Sequence, residues 1–275
     1  MTPWHLQRMA ALDFESSDKD PETARIVSCA LILVGGGLPT DTREWLLNPG
    51  IKMEPGAIEK HKITDEYVAE HGQPAEQGVG EIAKAIAEVV AGGVPLVGHN
   101  LGGYDLNLLD RECRRHLGDS LEDICRTPLT RVIDTMILDW WAAPFRKRVS
   151  EKQGAYEMKT TAQRYGLGWD DEKAHGATYD ALMSARAAWR MGNIAGLPRD
   201  QRPEWVQLLV NRRGPYERFD DLAVADVEEL HRRQIGWAAQ RAAGLQDHFR
   251  KTDPAVVIDG TWPLRPVPEL VGGEA

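Results

Sequence analysis

Two acidic residues stand two positions apart at the end of an apolar run, ALDFESSD, residues 11 to 18. In a strand, positions i and i+2 share a face, so Asp13 and Glu15 present paired carboxylates while Leu12 and Phe14 point the other way. Like charges that close repel and are costly to bury unpaired, so a cationic group is expected between them. Asp105, in VGHNLGGYDLNLL, follows a strand and a glycine loop and opens a helix. Asp180, in HGATYDALMSARAAW, follows His175 by five residues across a glycine. Each piece has a plain alternative: acids at a strand end that face water, a carboxylate that caps a helix, a histidine on the surface.

The elements that must position these groups follow from periodicity. Residues 8–14, RIVSCALILVG (25–35) and REWLLN (43–48) read as three strands, and the short turn-rich links between them imply antiparallel neighbours. Val79, Ile82, Ile86 and Val89 or Val90 then fall on one helical face that stops at Gly92 and Gly93. VPLVGH (94–99) reads as a buried strand, YDLNLLDRECRRHL as a helix, and TRVIDT as a strand running into the helix MILDWWAA. A polar loop is expected over 144–158, then helices at KTTAQRYG and YDALMSARAAWRMG. This order predicts an α/β fold, a mixed sheet with helices packed on it.

A boundary is expected near 195–205, separating a main domain (1–197) from a C-terminal extension (198–275). Within the extension, Val227, Leu230, Trp237, Ala238, Ala242, Leu245 and Phe249 recur at helical spacing. So few apolar positions predict a helical extension docked on the main domain rather than a separate fold.

With 42 acidic and 33 basic side chains among 275 residues the net charge is −9. That argues against a DNA-coating protein; a nucleic acid partner would need a local basic strip or bound metal. Cys29, Cys113 and Cys125 form no CxxC pair, so neither a disulfide framework nor a thiolate zinc site is expected. No signal peptide or stretch of roughly 18 apolar residues is evident, which predicts a cytoplasmic protein with no membrane partner. The tryptophans, Trp140, Trp141, Trp189 and Trp237 among them, are read mainly as packing residues.

LDFESSD with ARIVSCALILV, HNLGGYDLNLLDREC, and HGATYDALMSARAAW, in that order and spacing, resemble the three motifs of the DEDDh exonuclease family. That family includes the proofreading ε-subunit of bacterial DNA polymerase III, and the likeness covers about residues 8–192. WLLNPGIKMEPGAIEKHKITDEY also resembles the family's strand, proline loop and His-x-Ile-Thr turn. The resemblance implies a ribonuclease H-like five-stranded mixed sheet. It implies two Mg²⁺ or Mn²⁺ ions held by Asp13, Glu15, Asp105 and Asp180, since carboxylates without thiolates suit hard cations. It makes His175 the general base and Phe14, Ser16, Ser17, His61, Asn100 and Tyr104 candidate substrate contacts. The activity implied is release of nucleoside 5′-monophosphates from single-stranded or frayed 3′ ends, DNA ahead of RNA, with a DNA polymerase as a conceivable partner. The rivals are an RNA-trimming enzyme using the same residues and a non-catalytic module that binds strand ends.

Two departures from the family pattern stand out. Glu-Thr-Thr-Gly is here Glu15-Ser16-Ser17-Asp18, which adds a carboxylate. Three residues, Leu101, Gly102 and Gly103, lie between Asn100 and Tyr104 where the family has two. A neutral imidazole is needed to take a proton, so with His175 as base, activity should fall on acidification through the histidine range; a profile flat from about pH 5 to 9 would count against that role.

Overall fold

The strand Arg8–Ser16 (β1) buries Met9, Ala10, Ala11 and Leu12 in succession, the mark of a strand covered on both faces. In the computed structural model, which describes residues 2–144, 146–207 and 218–268, β1 lies inside a six-stranded sheet. The other strands are Ile26–Gly35 (β2), Asp41–Asn48 (β3), Gln73–Pro74 (β4), Leu96–Gly98 (β5) and Val132–Asp134 (β6). Their order is β4-β3-β2-β1-β5-β6. β1, β2 and β3 pair antiparallel as expected, and β5 and β6 continue the sheet in parallel. Five strands were expected. The sixth, β4, is a two-residue parallel bridge to β3 that includes a proline, and so short a segment carries no alternation to read.

Helices cover the sheet. The helices Ala75–Ala91 (α3) and Asp105–Leu117 (α4) pack on one another, and Ala177–Gly196 (α8) lies across β1 and β2. The small residues Ala181, Ser184, Ala185 and Ala188 are all buried in α8, which lets its backbone approach the strands closely. Shorter helices are Pro55–His61 (α1), Asp65–His71 (α2), Leu121–Cys125 (α5), Thr135–Ala142 (α6) and Met158–Arg164 (α7). In α1, Pro55 occupies a first-turn position where its missing N–H has no helical partner to lose. In α2, the Thr64 hydroxyl accepts from the Tyr67 N–H. Among the described residues no helix is long and apolar enough to cross a membrane. The three cysteines are buried and free.

Phe145 lies outside the described residues; the rest of 144–157 contains no helix or strand, but it is anchored. Arg146 pairs with the buried Asp139 carboxylate, 2.9 Å at Oδ1, donates to the Ala155 carbonyl at 2.6 Å and covers the Tyr156 ring. Thr161 and Tyr165 donate to the same carboxylate at 2.8 and 3.1 Å. Arg146 is therefore committed inside the fold, and Arg148 to the turn carbonyls of Ser150 and Glu151.

The long C-terminal helix Val227–Phe249 (α9) packs on β6 and α6, with Trp237 stacked on Trp141 at 4.9 Å. Its polar residues do more than face solvent. The fully buried Gln234 accepts from the Asp134 N–H at 2.7 Å and donates to the Val132 carbonyl at 2.9 Å. His231, also buried, accepts from the Val132 N–H at 3.3 Å. Two side chains of α9 thus satisfy the open edge of β6, which would otherwise expose unpaired backbone groups. Helical spacing places His231 beside the apolar stripe but cannot show that a strand edge meets it there. Gln234→Leu leaves an N–H and a carbonyl buried without partners and should cost about 2 kcal/mol or more in urea unfolding. A loss below about 0.5 kcal/mol would mean that water reaches this edge.

Candidate active site

β1 and the parallel strand β5 end side by side, and the groups with chemical potential gather beyond those ends, where open α/β sheets place ligands. A cleft of about 750 Å³ there is lined by Asp13, Phe14, Glu15, Ser16, His61, Asn100, Tyr104, Asp105, His175 and Asp180. Ser17 alone of the sequence candidates lies outside it. Its hydroxyl accepts from the Arg25 N–H at 2.9 Å, and its own N–H donates to the Arg25 carbonyl, closing the turn between β1 and β2.

Asp13 and Glu15 extend from the same face of β1, opposite Ala30 and Ser28 of β2, and the pairing register shifts between Glu15 and Ser16. Such an irregularity re-aims side chains at a strand end. Asp180 arrives from the first turn of α8, where a helix N-terminus favours a carboxylate. Oxygens of Asp13, Glu15 and Asp180 lie within 4.8 Å of one another. One Asp180 oxygen accepts from the His175 N–H at 3.2 Å; the other, Oδ1, is buried with no hydrogen-bond partner. Asp105, the first residue of α4, accepts from the Phe14 N–H at 3.2 Å and so sits against the trio. His175 is exposed at the mouth with φ 60, in the left-handed region, where the chain turns before α8.

The extra Asp18 lines the cleft, but its carboxylate accepts from the Lys19 N–H at 2.6 Å. Its carbonyl accepts from Ser16 at 2.8 Å and from the Tyr104 hydroxyl, joining the first and second motifs. His61 Nδ1 accepts from the Ile63 N–H at 3.0 Å, which places the proton of a neutral ring on Nε2, a buried donor with no partner.

Sequence reasoning passed over Asp134. Its fully buried carboxylate accepts from the N–H groups of Asn100 at 2.9 Å, Gly102 at 3.1 Å and Met136 at 3.0 Å. One side chain therefore caps α6 and holds the loop before Asp105. An Asp ahead of MILDWW is legible as a cap; its second partner is not. His99, Lys19, Lys60 and Glu54 also line the cleft without having been singled out.

Residues 10–188 match the family described as Exonuclease, RNase_T. The chain belongs to this exonuclease family, in the DEDD superfamily. No curated protein sequence matches significantly. Solved structures of E. coli exonuclease I are similar in fold. A complex with a dT13 oligonucleotide has a TM-score of 0.53 at 14% identity, covering 66% of this chain and 40% of that one. A zinc-bound complex with single-stranded DNA gives 0.54 at 15% identity, covering 68% and 41%. A complex with a dA16 oligonucleotide gives 0.54 at 14% identity, with the same coverage. The match spans about two fifths of the length of these relatives.

In this cleft the acidic groups are far from comfortable. Burial, then the charges of Asp105, Glu15 and Asp180, push Asp13 well above the usual carboxylate range. Burial, then Asp180 and Asp105, push Glu15 up to about 8, with Lys60 opposing. Burial pushes Asp105 up to about 8 against the hydrogen bonds it accepts, and burial also raises Asp180. Beneath them the Cys29 thiol is held protonated, by burial first and then by Asp13 and Asp105. The donor set fits a hard divalent cation. Oxygens bound at about 2.0–2.6 Å to one ion stand within roughly 5 Å of one another, as those of the trio do, and an orphaned carboxylate oxygen is a ready ligand.

Because these acids bind protons more tightly folded than unfolded, the metal-free protein should lose stability as pH rises from about 4.5 toward 8. Mg²⁺ or Mn²⁺ should raise the melting temperature more at pH 8 than at pH 5. Equal metal shifts at both values would show that the cation does not replace protons on this cluster.

Proposed function

We propose that the protein is a metal-dependent 3′ to 5′ exonuclease that releases nucleoside 5′-monophosphates from single-stranded or frayed ends, DNA foremost. The convergence of Asp13, Glu15 and Asp180 oxygens in one cleft, in a chain of the exonuclease family, carries this reading. Asp13, Glu15 and Asp180 would hold one divalent cation, and Asp13 with Asp105 a second; Mg²⁺ or Mn²⁺ fits the oxygen donors. When bound, such ions stabilise charge on a phosphate and make a bound water more acidic.

The chain's own groups supply the rest. His175, exposed at the mouth beside Asp180, takes the proton of the water that attacks phosphorus. The P–O3′ bond then breaks, the nucleotide leaves as its 5′-monophosphate, and the departing O3′ takes a proton from solvent, so that the shortened strand ends in a 3′-hydroxyl. The unpartnered Nε2–H of His61 is a donor for the terminal nucleotide, with Phe14, Ser16, Asn100 and Tyr104 around it. Lys19 and Lys60 line the same cleft in a chain of net charge −9 and are the cations nearest to hand for backbone phosphates. The dT13 and dA16 oligonucleotides in the solved relatives support DNA as substrate, and the zinc-bound relative supports a divalent ion. No observation supports a polymerase partner.

The test is a gel time course on 5′-labelled DNA and RNA single strands with Mg²⁺ or Mn²⁺. A ladder shortening from the 3′ end is expected, abolished by chelation. Asp180→Ala should slow it by roughly 100-fold or more, and His175→Ala by about 100-fold with cation binding retained. Faster loss of RNA would shift the substrate to RNA, and no cleavage with any metal would leave a protein that only binds strand ends.

A further inference from the structure

Residues 258–266 form no helix or strand, yet they are held along their whole course. The Ile258 N–H donates to the Gln246 side chain of α9 at 3.0 Å. Gly260 lies so close to α9 that a Cβ there would stand 3.0 Å from Ala239 and Ala242. Trp262 is 6% exposed, with its ring 4.9 Å from that of His231 and its Nε1 3.5 Å from the Asp134 carboxylate. The Arg265 N–H donates to Asn107 of α4 at 2.7 Å, and its guanidinium donates to the Gly103 carbonyl. Arg111, itself buried, donates to the carbonyls of Arg265 and Pro266 at 3.2 and 3.0 Å while pairing with Glu22.

The path crosses the loop in which the chain departs from the family pattern. A Cβ on Gly102 would overlap the indole nitrogen of Trp262, so only glycine lets the tail lie where it does. The Gly102 N–H donates inward to Asp134, and its carbonyl accepts from Asn107 at 2.8 Å. The loop 100–103 is thus clamped between a buried carboxylate on the sheet side and the tail on the other. It leads directly into Asp105, which must hold its place against the repulsion of neighbouring acids with a single long-range hydrogen bond, from Phe14.

Resting on the exonuclease reading, we propose that residues 258–266 are a strap, with Trp262 and Arg265 as positioning residues that seat the Gly102–Gly103 loop and thereby fix the Asp105 carboxylate in the metal cluster. Gly102 of the second motif and the tryptophan of the tail form one matched contact. The segment touches no reacting group. Its effect is exerted through the backbone that carries Asp105.

The test uses the full chain with Trp262→Ala, Gly102→Ala, the double variant, Arg265→Ala and Arg265→Lys. Mn²⁺ binding is followed by electron paramagnetic resonance, kcat and KM on single-stranded DNA by gel, and folding by thermal melting. Each alanine variant should weaken Mn²⁺ at the weaker of the sites by roughly tenfold. Each should also lower kcat by about tenfold or more, with KM within about twofold. Arg265→Lys should recover part of both losses. Gly102→Ala and Trp262→Ala break the same contact, so the double variant should be no worse than the poorer single one. Folded variants with wild-type Mn²⁺ affinity and kcat, or losses that multiply in the double variant, would overturn the strap. If Trp262→Ala does not fold, Arg265→Ala, which removes the donation to Gly103 and the charge beside Asp259, decides the matter on the same readouts. A wild-type protein that binds Mn²⁺ but cuts no strand would sink the nuclease reading and leave the Mn²⁺ arm to judge the strap by itself.

Discussion

Four carboxylates that repel one another must be held at the end of a sheet, and much of the structure answers that constraint. Asp13 and Glu15 come from a strand gripped on both sides by others, which cannot bend away from its neighbours. Asp180 and Asp105 come from the first turns of two helices, whose dipoles offset part of the unfavourable charge. The cluster is tense as protein alone, as the upward shifts of its acids show, and a divalent cation bound among them would relieve that tension.

Rigidity around the cluster comes from polar groups buried far from it in sequence. Asp134 joins the loop before Asp105 to the start of α6, and Gln234 joins the same stretch of β6 to α9. Arg111 ties α4 to the turn after β1, through Glu22, and to the C-terminal tail. Each of these groups is buried and fully engaged, the condition under which polar interiors specify one arrangement. The C-terminal helix is consequently part of the scaffold behind the cleft.

Much of the fold and the candidate site was legible in the sequence. The strand period set Asp13 and Glu15 on one face, the glycine-bounded helix starts put Asp105 and Asp180 at their N-termini, and the structure brings all four to one cleft with His175. Less legible were roles that depend on partners distant in the chain. Arg146 stands beside Lys147 and Arg148 in a segment that reads as a polar loop, whereas a buried Asp139 seven residues earlier claims it. Ser17 shared a motif with Ser16 but turns into the hairpin, where its hydroxyl accepts from the Arg25 N–H. Asp18, an added acid beside the site, is spent on its own turn.

The resemblance of three motifs to a known family implied which acids cluster; the sequence by itself determined which residues share a strand face or open a helix, and the presence of a mixed α/β sheet. Those properties depend on spacing along the chain, and spacing is written in it. Only the tertiary structure decided that Asp180 has an oxygen without a partner, that His231 and Gln234 close a strand edge, and that Gly102 lies under Trp262. Those contacts join positions 99 or more residues apart, and local periodicity carries no information on which distant side chain will fill a given space.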